Sequence, residues 1–181
     1  MLLVFRCYPN EAEVHLEVHA RLNDRSLLLK LKLRSDPKML CSVRGALGAL
    51  AENLGLSPEQ ARAVVLAVDE ALTNVIRHAY LGQLDRPISI SFCRGQTQQN
   101  GSFQDLLEIV VLDRGVPLNE EKLRGRPLDE VRPGGLGLHF IRECMDKVEF
   151  RHDKGTNYLR MVKVLARAQT DQETGGEIEC K

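Results

Sequence analysis

Three short blocks of this chain carry residues whose types and spacing suit chemistry. In "DEALTNVIRHAY", residues 69–80, Glu70, Asn74 and His78 recur at intervals of four, with Arg77 beside them. On an α-helix that interval stacks side chains along one face. The surrounding positions are apolar, among them Val68, Ala71, Leu72, Val75 and Ile76. Asp69 and Arg77 alone would give such a helix a wet side, and an Asn in mid-helix is a poor helix former. The second block is Asp113, which ends the apolar run "LLEIVVLD" and is followed by Arg114-Gly115. The third is Gly134-Gly135-Leu136-Gly137-Leu138, at the start of a helical segment.

Each block has an ordinary alternative: the wet side of an amphipathic helix, a turn residue after a strand, a tight turn before a helix. Together and in this order they fit a single site. The glycine run lets backbone approach a phosphate chain, and free N–H groups at a helix start stabilise its charge. Asn74 offers a neutral oxygen to Mg²⁺, a cation that takes few protein ligands and keeps waters and phosphate oxygens. Glu70, one turn earlier, can accept a proton from an attacking hydroxyl or water. Arg77 can neutralise phosphate oxygens. Asp113 can accept a hydrogen bond from an exocyclic amine, which separates adenine from guanine. No G-x-x-x-x-G-K-[ST] occurs, and "GLGLHF" lacks both the third glycine and the preceding strand of a dinucleotide fingerprint.

The elements that must position these residues follow from hydrophobic periodicity. Residues 14–18 and "LLLKLKLRS" at 27–35 alternate as strands around a turn at "NDRS". Asp36 as N-cap and Pro37 at the first helical position predict a helix ending near Asn53–Gly55. Ser57 and Pro58 open a second helix in the same way, running to about Tyr80. "ISISFC" at 88–93 and "LLEIVVLD" at 106–113 are strands around a polar loop, 94–105, in a hairpin-like arrangement. Residues 114–133 hold three prolines and are long for a loop, as functional lids are. Ile141, Met145 and Val148 give the segment after the glycines a helical spacing, and "GTNYLRMVKVL" at 155–165 is a final strand. The order predicts an α+β two-layer sandwich: a mixed, mostly antiparallel sheet with helices on one face. Residues 1–26 read as an N-terminal extension with an extra strand, 27–166 as one domain and 167–181 as a disordered tail.

Composition narrows the partners. Acidic and basic residues balance at 25 each, and the chain has no Trp, three Tyr and five Phe. Neither a nucleic-acid nor a membrane partner is indicated. "MLLVF" is too short for a signal peptide or a spanning helix, so the cytoplasm is expected. The five cysteines form no Cys-x-x-Cys pair and read as reduced packing residues. "HLEVH" at 15–19 lacks a Glu after its first His and lies in strand alternation, so it reads as two exposed histidines rather than a metal pair.

"AVDEALTNVIRHAY" (67–80), "LDRG" (112–115), "GGLGLHFIRECMD" (134–146) and "KGTNYLRMVK" (154–163) resemble, in that order, the N box, D-x-G box, second glycine box and terminal Gly-Thr strand of the gyrase, histidine-kinase and mismatch-repair ATPase superfamily. Over roughly residues 30–165 the chain is most similar to the stand-alone anti-sigma-factor serine kinases. The resemblance implies a Bergerat ATP-binding fold using ATP and Mg²⁺. It implies Glu70 as catalytic base, Asn74 as Mg²⁺ ligand, and Arg77 and His78 near the phosphates. It implies Asp113 as adenine reader beside Gly115, Gly134–Leu138 as the phosphate loop, and Thr156 supporting the adenine end. The implied partners are a STAS-type anti-anti-sigma protein, phosphorylated on serine, and a sigma factor, with the kinase a homodimer. One departure stands out: Val116-Pro117 follow Gly115 where the family commonly has a further glycine, which stiffens the hinge of the lid. That departure sets a non-catalytic nucleotide-binding switch module beside the kinase as the alternative. Phosphorylation of a histidine is the weaker reading, because no helix with a suitable His precedes residue 36.

Overall fold

The computed structural model describes residues 27–99, 102–117 and 137–165. Among these residues five strands form one sheet: β1 (Leu27–Arg34), β2 (Pro87–Gln99), β3 (Ser102–Asp113), β4 (Lys147–Asp153) and β5 (Thr156–Val164). Their spatial order is β1-β2-β3-β5-β4, and every pairing is antiparallel. The helices are α1 (Met39–Asn53), α2 (Pro58–Asn74) and α3 (Gly137–Cys144), and α2 continues into a wider π-helical turn, Val75–Ala79. This is the expected α+β arrangement of helices packed on a sheet. The predicted strand at 14–18, the lid from residue 118 to 133, and the tail fall outside the described residues.

The core lies between the helices and one face of the sheet. Ile88, Ile90 and Phe92 of β2 alternate inward and pair across the strands with Asp113, Val111 and Ile109 of β3. Leu159 and Met161 of β5 complete that face. From the helices come Val43 and Leu47, then Val64, Val68, Ala71 and Leu72, then Ile141. The α2 residues recur at i, i+4 and i+7, which gives one apolar stripe against the sheet. On β1, Leu29, Leu31 and Leu33 pack on the core, whereas a register shift between Leu27 and Leu29 leaves Leu27 exposed.

The start of α2 is as expected. Ser57 Oγ accepts from the Gln60 N–H and Gln60 Oε1 from the Ser57 N–H, a reciprocal capping box with Pro58 at the first position. The start of α1 differs. Asp36 Oδ1 accepts from the Lys38 N–H, but two i→i+3 bonds, Met39 N–H to Asp36 O and Leu40 N–H to Pro37 O, precede a helix that opens at Met39.

Two further expectations are corrected. In the polar loop expected at 94–105, residues 94–99 and 102–105 are instead strand, for β2 and β3 stay paired out to Gln99 and Ser102. The segment after the glycines is not helical to Val148. Its last helical bond runs from Met145 N–H to Ile141 O, after which Asp146 donates its N–H to Val162 O and accepts from the Val164 N–H. Those two bonds draw the chain onto the free edge of β5, and residues 147–153 become β4. Val148 and Phe150 then reach the core by strand alternation.

Candidate functional site

Helix α2 brings the sequence blocks together. Glu70 is half-buried on α2, and its carboxylate lies against Gly137, the first residue of α3. A Cβ at position 137 would fall on the Glu70 Oε1 atom, so any other residue here would push the carboxylate from its place. The positive end of α3 therefore faces the Glu70 carboxylate, a favourable placement for negative charge. The first and third blocks meet here. Leu138 is half-buried behind Gly137 and packs on the core. Gly134, Gly135 and Leu136 lie outside the described residues.

Asn74 sits one turn beyond Glu70. Among the described residues its buried Nδ2 has no hydrogen-bond partner. Buried amides are ordinarily paired, so an orphaned one calls for an absent partner. The two ends of an Asn amide exchange by rotation, and an Oδ1 turned into this position suits a hard cation such as Mg²⁺. Among the described residues no three His, Cys, Asp or Glu side chains gather to hold a metal. One amide oxygen is the kind of minimal ligand Mg²⁺ uses when phosphates supply the rest.

Past Asn74 the helix widens. Tyr80 N–H bonds Val75 O at 2.9 Å and Gly82 N–H bonds Ile76 O at 2.8 Å. The first bond is i→i+5 and the second closes over six residues; the widening breaks the four-residue period before His78, and Arg77 and His78 are both exposed on this turn. The turn receives the second block. Val116 N–H donates to Ala79 O at 2.8 Å, and Gly115 packs so closely that a Cβ there would fall on the Ala79 carbonyl. The buried Tyr80 hydroxyl donates to Pro87 O at 2.6 Å and accepts from the Arg114 N–H at 2.9 Å. Burial pushes the Tyr80 phenol pKa up, which keeps the hydroxyl proton on for this double role. An open cleft of about 590 Å³ lies beside this clamp, between Tyr80, Arg86, Arg114 and Val116. It does not reach Glu70 or Asn74.

Asp113 ends β3 and is 7% exposed. Its Oδ1 accepts from the Gly115 N–H at 2.8 Å and from Asn157 Nδ2 at 2.7 Å. Among the described residues both bonds fall on Oδ1 and leave Oδ2 free to accept from a ligand. Burial raises the Asp113 pKa, and the bonds from Asn157 and Gly115 pull it back down. The second and last blocks meet here through Asn157 rather than through the expected Thr156. Thr156 is buried at the start of β5 and makes no hydrogen bond to Asp113; the β3–β5 register sets Asn157 opposite Asp113. Sequence reasoning missed Asn157, His152 and Tyr80. The only signal for Asn157 was its place two residues before Leu159 on the inward face of β5.

Glu70, Asn74, Gly137 and Leu138 thus lie along α2 and α3, while Asp113, Gly115 and the turn carrying Arg77 and His78 close the other end. The described wall suits an anion beside Gly137, a cation at Asn74 and an amine donor at Asp113.

Comparison with known proteins gives a consistent result. The histidine kinase-like ATPase domain family matches residues 33–163. A protein named serine-protein kinase RsbW from Oceanobacillus iheyensis is 29% identical over 153 residues, 80% of this chain and 91% of that one. The RsbW of Bacillus licheniformis is 30% identical over 154 residues, 81% and 91% of the two chains. Among solved structures, a SiaB-SiaC complex from Pseudomonas aeruginosa aligns with a TM-score of 0.52 at 15% identity, over 87% of this chain and 100% of that one. The RsbU and RsbW domains of a Mycobacterium tuberculosis protein align with a TM-score of 0.51 at 15% identity, over 78% of this chain and 34% of that one. Both structures share the fold.

Proposed function

The chain belongs to the histidine kinase-like ATPase domain family, and on that basis we propose that it is an ATP-dependent protein serine/threonine kinase of the anti-sigma-factor type, whose substrate is a small STAS-type anti-anti-sigma protein. The observation that carries this reading is the Glu70 carboxylate held against the first residue of α3, one turn from Asn74.

Asp113 takes the adenine amine on Oδ2, and the backbone around Gly137, with Gly134 and Gly135 before it, takes the phosphates. Arg77 and His78, both on the exposed turn, supply further donors to them. Asn74 is the residue to hold Mg²⁺, which when bound neutralises phosphate charge. Glu70 accepts the proton of the incoming serine hydroxyl as its oxygen bonds to the γ-phosphorus. The bond from that phosphorus to the β–γ bridging oxygen breaks, and ADP leaves. In this reading the protein binds a sigma factor when its anti-anti-sigma partner is phosphorylated, works as a homodimer and resides in the cytoplasm. Among the described residues no helix is long and apolar enough to cross a membrane.

The test is incubation with ATP, Mg²⁺ and the STAS-domain proteins of the same genome. Phosphoserine on one of them is the expected result, and its absence from all of them refutes the kinase. Glu70→Gln should lower transfer by about 10²–10⁴-fold while ATP affinity stays within about twofold. One observation favours the second reading, a nucleotide-sensing module without transfer. Gly115 and Val116 are fastened to Ala79 just before Pro117, which restrains the hinge from which the lid would move. Nucleotide binding without phosphotransfer would select that reading.

A further inference from the structure

Resting on the nucleotide reading above, we infer that Asn157, held at its other end by His152, is the residue that aims Asp113 at the base and so sets its selectivity. Asn157 Nδ2 donates to Asp113 Oδ1 at 2.7 Å and also reaches the carbonyls of Gly115 at 3.1 Å and Val116 at 3.4 Å. One amide group therefore ties the carboxylate of β3 to the first residues of the chain beyond it. Gly115 N–H donates to the same Oδ1 at 2.8 Å. With Oδ1 held by two donors, the carboxylate plane is fixed and Oδ2 is the oxygen left for a ligand.

An Asn amide can present either end, and the wrong end would set an oxygen against the carboxylate. The Asp113 carboxylate and the Gly115 and Val116 carbonyls are all acceptors and call for the NH₂ end, and His152 holds the other end. Its Nδ1 lies 2.7 Å from Asn157 Oδ1. Because Asn157 Nδ2 is committed to Asp113, the His152 Nδ1 must carry the proton and donate. His152 and Asn157 are cross-strand partners on β4 and β5, as Asn157 and Asp113 are on β5 and β3. The relay thus crosses three strands in register. Asn157 also favours the ionised form of Asp113, against the effect of burial. An ionised carboxylate only accepts and suits the amine of adenine, whereas a protonated one can also donate and would tolerate the carbonyl of guanine.

The experiment compares ATP, GTP and purine riboside 5′-triphosphate, which lacks the exocyclic amine, by isothermal titration on the full chain. The wild type should prefer ATP to the deamino analogue by about ten- to a hundredfold, as one hydrogen bond to a charged acceptor gives. Asn157→Leu should shrink that ratio to about threefold or less and narrow the ATP-to-GTP ratio, while affinity for the deamino analogue holds. A purely structural role would weaken all three ligands together. His152→Phe, an exposed change, should lower the ratio by an intermediate factor, and it carries the test alone if Asn157→Leu does not fold. A wild type that binds ATP, with an unchanged ratio in the folded variants, overturns this inference alone. A wild type that binds no ATP overturns the nucleotide reading and this inference with it.

Discussion

The most demanding test of the adenine end is Asp113→Asn. Asp113 Oδ1 already accepts from Gly115 N–H and Asn157 Nδ2, at 2.8 and 2.7 Å. The Oδ1 of an asparagine there can accept the same two bonds, which places its NH₂ where Oδ2 was. An adenine amine then meets a donor instead of a carboxylate. The loss is one charge-assisted hydrogen bond, about 1.5–3 kcal/mol, plus about 1–3 kcal/mol for donors left unpaired in a buried site. Taken together as about 3–5 kcal/mol, this lowers ATP affinity by a hundred- to a few thousandfold. Guanine presents a carbonyl at the same position, so GTP should bind the variant better than ATP does. Stability moves the other way. Burial raises the Asp113 pKa in the folded chain, so the folded state binds this proton more tightly than the unfolded one. The cost of ionising it is fully present above the folded pKa and is lost progressively as the pH falls from the folded to the unfolded value. At pH 7 the substitution removes that cost, and the melting temperature should hold or rise by a few degrees. The difference from wild type should shrink as the pH falls through the folded value and vanish only below the unfolded one. Titration calorimetry with both nucleotides, and thermal melts at two pH values, read all of this. A folded variant that loses ATP and GTP equally, or that keeps its preference for ATP, refutes the reading of Asp113.

Two further substitutions probe the scaffold. Gly137→Ala puts a methyl group on the Glu70 carboxylate, so phosphotransfer should fall at least about tenfold, the effect of a small misplacement of a reacting group, while circular dichroism stays native; unchanged turnover would separate Glu70 from catalysis. Tyr80→Phe strands the Pro87 carbonyl and the Arg114 N–H; urea unfolding should show a loss of about 1–3 kcal/mol, and a loss below about 0.5 kcal/mol would mean that the clamp is not structural.

How much of this was legible in the sequence depended on where each residue's partners lie. Glu70 and Asn74 were legible because their relation is local: four residues on a helix are one turn, and the apolar stripe of α2 states the period. The α+β layout followed from the same patterns. The end of α3 was obscured because Ile141, Met145 and Val148 keep an i, i+4, i+7 spacing although the helix stops at Cys144. What ends it is Asp146, whose bonds go to Val162 and Val164 of a strand not yet formed at that point of the chain. The long β2–β3 hairpin was hidden by polar residues on a solvated ribbon, although Asn100-Gly101, the pair between the paired ends, is a two-residue turn signal.

The π-helical turn and Asn157 illustrate a deeper limit. A helix leaves its last carbonyls without partners, and the one at Ala79 finds the Val116 N–H, 37 positions away. Nothing in "VIRHA" announces a wider turn, because the contact it accommodates comes from the exit of β3. Asn157 is likewise an unremarked polar residue in an alternating strand until the β3–β5 register sets it opposite Asp113. Residues that would touch a ligand can be read from their own type, since a base, a metal ligand or a phosphate loop needs particular atoms. Residues that aim those groups can be of several types, and only their tertiary neighbours disclose them. For that reason the Thr156 expectation drew attention to the strand on which Asn157, its neighbour, makes the bond to Asp113.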